Sequence, residues 1–286
     1  MEPAKTSVVV GVDGSASALS AVRLATREAS QRGSDLRIIH VLAWPLVPLD
    51  VAATPQIPYA AMLADAEYLL AEALTVAAVT DPAVSATTEM TSGNPAAVLL
   101  DAARGTDLVV VGKRGRGGFA GLLLGSVAVQ VVTHSTAPVL VARGEGHPAA
   151  PVVLGLDDAI ASAPAVREAF AAACRRNADL LAVHVLDDTA LLATTFASTP
   201  ASGVATPGTQ AHSRVLADAH ALFPGVPVRT DTMSGNPGRL LIQLSELAQL
   251  MVVGARGCGG FSGLLLGSVS QQLLHHAACP VLVVHR

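Results

Sequence analysis

The sequence predicts an α/β chain of two tandem domains, each a parallel sheet of five strands with helices on both faces. Three observations carry this. Short apolar runs rich in valine alternate with segments whose apolar residues fall at helical spacing, and strands that read as continuous apolar runs are strands covered on both sides. The chain has 286 residues, about two domains at ~150 residues each. One stretch also occurs twice: Leu108 to Val127, LVVVGKRGRGGFAGLLLGSV, returns as Leu250 to Val269, LMVVGARGCGGFSGLLLGSV. Duplication is the simplest source of two such halves.

Ser7 to Asp13, SVVVGVD, reads as a buried strand and is broken by Gly14-Ser15. Ala16 to Gln31 follows as a helix, with Leu19, Val22, Leu24, Ala25 and Ala29 at helical spacing and Gly33 as its stop. Leu36 to Leu42 is the second strand. Ala43 to Pro58 contains Pro45, Pro48, Pro55 and Pro58, which exclude both a helix and a central strand and leave a surface excursion. A helix from about Ala60 to Val79 and a weak strand near Val84 to Met90 come next. Gly93-Asn94-Pro95 starts a helix that runs to about Arg104, with Asn94 as cap and Pro95 at the first helical position. Leu108 to Gly112 is a strand, a glycine-rich loop leads into a helix at Gly125-Ser126, and Pro138 to Val141 is the last strand.

Arg143 to Pro151, RGEGHPAAP, is polar and rich in Pro and Gly, and the pattern then restarts. Residues 1–143 and 151–286 are therefore expected as the two domains, with 144–150 as linker. Pro151 to Asp157 matches the first strand and Leu180 to Val185 the second, with His184 in the place of His40. Ala190 to Gly208 matches the excursion, Gly235-Asn236-Pro237 the helix start, and Val281 to Val284 closes the chain. Gly11 answers to Gly155 and Gly112 to Gly254, so the second half has lost two residues in between, most simply in the excursion.

Composition removes several classes. Net charge is −4, so no basic field argues for nucleic acid. The apolar runs are interrupted, for example by Glu72, and none approaches the ~18–20 residues that span a bilayer. The N-terminus lacks the pattern of a secretory signal, so a cytoplasmic protein is the expectation. Cys174, Cys258 and Cys279 form neither a disulfide framework nor a zinc pattern, and Cys279 reads as a buried small apolar residue. Cys258, inside the second glycine loop, is the one candidate for redox chemistry.

The chemistry concentrates in that loop. Glycines recur as G-xx-G-x9-G followed by Ser: Gly112, Gly115, Gly125-Ser126, and Gly254, Gly257, Gly267-Ser268. The loop leaves the carboxyl end of a parallel strand, the edge at which open α/β sheets bind ligands. Glycines allow close approach to main-chain N–H groups, and the helix that follows offers unpaired N–H groups and a dipole that favours anions. Lys113, Arg114 and Arg116 add cations, so the parts are those of a phosphate cradle. A Walker loop is excluded because Arg114 follows Lys113 and Asp107 stands where its first glycine belongs. A dinucleotide fingerprint is excluded because Asp13-Gly14-Ser15, not the glycine loop, follows the first strand. Asp13 and Asp157 end the first strands at the same edge, where a carboxylate accepts from a nucleoside, helps hold a metal, or caps the next helix. Ser126 and Ser268 read as helix caps that also bond a phosphate. His275-His276 and His134 read as cations at a helix C-terminus, and His40 and His184 as partly buried structural residues. No Ser-His-Asp or Cys-His spacing argues for a nucleophile, and no metal site is read.

The pairing of a first strand G-[VL]-D with G-xx-G-x9-G-S-V resembles the universal stress proteins of the ATP-binding type, in the tandem form found in actinobacteria. The resemblance covers nearly the whole chain, twice. It implies Rossmann-like domains, akin to the adenine nucleotide alpha hydrolases, with ATP, with or without Mg2+, in a cleft at the carboxyl edge. By position it implies adenine near Val41 and Val185, after Gly11-Val12-Asp13 and Gly155-Leu156-Asp157. It implies ribose and phosphates on Gly112, Lys113, Arg114, Gly115, Arg116, Gly117 and Gly118 with Gly125, Ser126 and Val127. In the second half these are Gly254, Ala255, Arg256, Gly257, Cys258, Gly259 and Gly260 with Gly267, Ser268 and Val269. It also implies association through the final strands, read as exposed edges, as a homodimer or by pairing of the two halves. The resemblance implies a nucleotide-dependent regulator or sensor in the stress response, without nucleic-acid or membrane partners and with at most slow ATP hydrolysis. A slow ATPase or nucleotidyl-transferring enzyme, and an interaction scaffold with vestigial clefts, are the rival expectations. Lys113 becomes Ala255 and Arg116 becomes Cys258, so weaker and more salt-sensitive ATP binding is expected of the second half.

Overall fold

The structure, a computed structural model, describes residues 7–42, 59–117, 123–157, 163–186, 207–256 and 266–285. The excursion at 43–58 and nearly all of its counterpart at 190–208 lie outside them. The chain divides into two compact units, Met1–Ala142 and Arg143–Arg286.

In the first unit the order is β1 (Ser7–Val12), α1 (Ala16–Arg32), β2 (Asp35–Leu42), α2 (Tyr59–Thr80), β3 (Ala86–Ser92), α3 (Pro95–Ala102), β4 (Leu108–Gly112), α4 (Ser126–His134) and β5 (Val139–Ala142). The strands lie in the order β3-β2-β1-β4-β5, all parallel. From β1 the chain steps outward to β2 and β3, then returns to β4 on the other side of β1 and steps to β5. Right-handed crossovers therefore put α1 and α2 on one face and α3 and α4 on the other, and those are the pairs of helices in contact.

The second unit repeats this with β6 (Val152–Leu156), α5 (Ala163–Arg176), β7 (Leu180–Leu186), α6 (Pro207–Leu222), β8 (Val228–Ser234), α7 (Pro237–Ser245), β9 (Leu250–Gly254), α8 (Ser268–His276) and β10 (Val281–Val284). Its order is β8-β7-β6-β9-β10, again parallel. β6 and β7 lag β1 and β2 by 144 residues and β8 lags β3 by 142, so the lost residues fall between β7 and β8.

The packing explains the composition. Val8, Val9, Val10, Leu108, Val109 and Val110 are buried at the sheet centre, where β-branched side chains fit a pleated surface. α1 lays Ala18, Ala21, Val22, Ala25 and Ala29 on them, and such small residues let the helix axis lie close to the sheet. Helix ends follow local signals. Ser15 Oγ accepts from Ala18 N at 3.1 Å, and Gly33 closes α1 at φ +65°. Asn94 Oδ1 accepts from Ala96 N and Ala97 N at 3.0 and 3.1 Å, and Asn236 Oδ1 from Arg239 N at 3.0 Å.

All four residues of β5 and of β10 are buried. VLVA and VLVV carry no polar side chain that would tolerate water, whereas the exposed strands β3 (ATTEMTS) and β8 (VRTDTMS) carry threonines and charges. On β3, Glu89 pairs with Arg37 at 2.8 Å, polar chemistry that discourages added strands.

The polar junction packs on the second unit. Arg143 Nε donates to Ala277 O at 2.7 Å and its Nη1 to Leu274 O at 3.1 Å, closing the C-terminus of α8. Gly144, at φ +57°, leaves no room for a Cβ against the Ala278 carbonyl, and Gly146, at φ +58°, lies over Gln249. Gln249 Nε2 donates to Ala150 O at 2.5 Å and His147 N to Ala248 O at 3.2 Å. Alanine at Gly105, which has φ +79° and open space around it, is expected to cost about 1 kcal/mol through the backbone alone. Alanine at Gly144 is expected to cost at least about 2 kcal/mol more, from overlap with a backbone carbonyl. Urea denaturation of both variants checks this, and equal losses would show a junction that is not clamped.

Candidate functional site

The strand order reverses between β1 and β4, and between β6 and β9, so a crevice opens beyond their carboxyl ends. In the first unit the loop 113–117 leaves β4 at this point. Gly112 is forced by contact: a Cβ there would stand 2.7 Å from Ser17 Oγ and 2.9 Å from the Ser17 carbonyl. The first turn of α1 is thus pressed on the end of β4, and its serines hold the loop. Arg114 N donates to Ser17 Oγ at 3.3 Å, and Ser15 Oγ donates to Arg114 O at 3.2 Å.

Asp13 does the rest. Its Oδ1 accepts from Ser15 N at 3.0 Å and its Oδ2 from Arg116 N at 2.7 Å. The helix cap is Ser15, so Asp13 does not cap α1 but joins the end of β1 to the glycine loop. Gly115 lies against Oδ2 with no space for a Cβ. The Arg116 guanidinium crosses Gly14 to Asp65 of α2 at 3.8 Å, an exposed pair that contributes little to stability.

Both loops close their necks alike. Gly125 N donates to Lys113 O and Gly267 N to Ala255 O, each at 2.8 Å. These two amides are therefore engaged by the chain's own carbonyls, and so is Ala255 N, which donates to Val284 O at 2.8 Å. The N-caps of α4 and α8 are Gly125 and Gly267, not the serines; Ser126 and Ser268 are the first helical residues and cap nothing. No side-chain cap bond closes either helix, in contrast to Ser15 on α1, Asn94 on α3 and Asn236 on α7. The first-turn amides, those of Ser126 and Val127 and of Ser268 and Val269 among them, have no intrahelical acceptor by geometry. The backbone of Lys113 and Arg114 lies against Gly125, with Lys113 O and Arg114 Cα 3.6 and 3.5 Å from where a Cβ on Gly125 would stand, and Arg256 follows Ala255 in the second loop. Gly117 continues the first loop; Gly118, Gly257, Cys258, Gly259 and Gly260 lie outside the described residues.

The remaining candidate residues lie in or at the ends of the strands. A Cβ on Gly11 would stand 2.7 Å from Leu99 Cδ1, and one on Gly155 3.0 Å from Leu241 Cδ1. These glycines let α3 and α7 approach the sheet. Val41 and Val185 lie at the ends of β2 and β7, one residue beyond His40 and His184, on the same edge as the loops. His40 Nδ1 donates to Val12 O at 2.8 Å. The sequence reading missed His212 of α6, which is 5 % exposed. Its Nε2 donates to Asp157 O at 2.7 Å, and its ring meets His184 edge-on at 4.6 Å. A histidine in line with Leu216 and Ala219 on the buried side of α6 was the available signal.

At the end of α8 the cation that bonds the carbonyls is Arg143, not the histidines. Burial, then the neighbouring His276 and Arg143, hold His275 below its ordinary pKa of 6.5. His134 donates from Nδ1 to Gln130 O of its own helix at 3.0 Å. Burial pushes the Cys279 thiol up to about 12, which makes it inert. Among the described residues no group of three or more His, Cys, Asp or Glu is placed to hold a metal, and no helix is long and apolar enough to cross a membrane.

The sequence model of the universal stress protein family matches residues 6–143 and, again, 149–285. The chain belongs to this family. It is 34% identical over 292 residues to a universal stress protein of Mycolicibacterium smegmatis, covering 97% of this chain and 96% of that one. A universal stress protein of Mycobacterium tuberculosis is 35% identical over 292 residues, covering 96% and 95%. These relatives match from end to end, so they share the tandem form. The crystal structure of a universal stress protein from Archaeoglobus fulgidus superposes with a TM-score of 0.71 at 21% identity, covering 98% of both chains, which establishes the doubled α/β fold.

The His275 environment gives a test with a definite sign. The folded state disfavours the charged imidazole, so the unfolded chain binds more protons and stability falls as pH drops through and below 6.5. Removing the Arg143 charge in Arg143→Ala should raise the His275 titration midpoint. Imidazole NMR titration of both proteins checks it, and an unchanged midpoint would remove Arg143 from the cause.

Proposed function

We propose that each half binds ATP at the carboxyl edge of its sheet, and that the protein is a nucleotide-dependent regulator in the stress response. The observation that carries this is the selective lack of caps. Among the described residues, α1, α3 and α7 begin at a serine or asparagine whose side chain accepts from their first amides, whereas α4 and α8 begin at glycine with no side-chain cap bond, directly after the glycine loop. An oxyanion is the partner such ends accept. Membership of the family supports the nucleotide. Adenine would lie along Val41 and Val185. The phosphates would lie over the first turns of α4 and α8, with Lys113, Arg114 and Arg256 as counter-charges. Mg2+, where present, would ride on the phosphates. With no nucleophile or general base read at this edge, occupancy rather than turnover is the signal. Assembly as a homodimer and a cytoplasmic setting belong to the same reading.

The halves differ in strength. Ala255 supplies no charge where Lys113 does, so the second site is the weaker. Salt dependence then follows the number of cations, which reverses the expectation drawn from sequence: the first site is the more salt-sensitive. Nucleotide released from the purified protein and identified by mass spectrometry tests the reading, and an empty protein that also fails to bind added ATP sinks it. In calorimetry, Lys113→Ala with Arg114→Ala should weaken the tighter site by about tenfold or more, on the order of one charge-assisted hydrogen bond. The weaker site should be unmoved. Steady-state phosphate release should stay at background, and clear turnover would favour an ATPase.

A further inference from the structure

Both carboxylate oxygens of Asp13 are engaged by main-chain amides, Ser15 N at 3.0 Å and Arg116 N at 2.7 Å. The second bond spans β1 and the glycine loop, and N–H···O⁻ bonds of that length are the strong ones. Gly115 is shaped to the same oxygen, because any side chain there would collide with it. Around it, Arg114 is held by both its N–H and its carbonyl, and Lys113 O accepts from Gly125 N. The backbone from 113 to 116 is therefore pinned at four groups, of which Asp13 holds the outermost.

We propose that Asp13 is a positioning residue: it sets the glycine loop through the Arg116 amide before any ligand arrives, and influences nucleotide affinity through that loop. The inference rests on the reading of the crevice as a nucleotide site. With the loop pinned, Lys113, Arg114 and the first turn of α4 meet the phosphates already ordered. Without Asp13 the cost of ordering the loop passes to the binding step and lowers affinity. A contact of Asp13 with the ligand alone would give a different pattern. The loss at Asp13 would then be independent of the residue at 115.

A double-mutant cycle on the full-length protein separates the two: Asp13→Ser, Gly115→Ala, and both together. Each single variant should weaken ATP at the tighter site by about tenfold, and the double variant should be no worse than Asp13→Ser, because the added methyl has no carboxylate to meet. In nucleotide-free protein, Asp13→Ser should speed hydrogen exchange of the Arg116 amide. Multiplying losses, or unchanged exchange at Arg116, would overturn the proposal. If ATP binds to none of the proteins, the nucleotide reading fails by itself. The exchange rate and the same cycle in unfolding midpoints, with the double again no worse than Asp13→Ser, still decide whether Asp13 sets the loop.

Discussion

The feature on which the rest depends is the reversal of strand order between β1 and β4. Because the chain leaves these neighbours in opposite directions, no crossover covers their carboxyl ends, and a crevice follows from topology alone. The two segments that reach it, 13–17 and 112–117, lie far apart in sequence and are brought within hydrogen-bonding distance there. Gly112 under Ser17 sets how closely they meet. The direction of α4 and the placement of its uncapped end follow from that approach.

What the sequence displayed was mostly local. A cap and the amide it satisfies are two or three residues apart, so Asn94 and Asn236 announced α3 and α7, and Gly33 the end of α1. Runs of valine announced the central strands. Where local signals had two readings, the choice fell to distant partners. Ser126 resembles a cap, but Gly125 takes the cap position because its N–H closes the loop neck on Lys113. Asp13 stands where a cap belongs, yet Ser15 caps and Asp13 turns to residue 116. Gly11, read from sequence only as part of a ligand site, is also the seat for Leu99, a packing role set by a residue 88 positions away. Arg143 and His212 gave no motif at all, since their partners, α8 and the end of β6, are set by tertiary packing.

Duplication shows which parts of the crevice belong to the fold and which to one copy. The neck bond and the glycine N-cap occur in both halves with the same length and geometry, so the backbone device is common. The side chains around it have diverged. Ser15 and Ser17, which hold the first loop, correspond to Ala159 and Ala161, and a pair of imidazoles stands beside Asp157 in the second unit alone. Two copies of one frame thus present different surroundings to whatever enters.

The grip of Arg143 on α8 also decides how the halves can be taken apart. Proline and glycine make 144–150 look like the natural place to sever the chain. A second half begun at Pro151 would leave the Leu274 and Ala277 carbonyls without their guanidinium and strip the cover from Ala248 and Gln249. The cut that respects the architecture falls before Arg143, so that the seam travels with the later half.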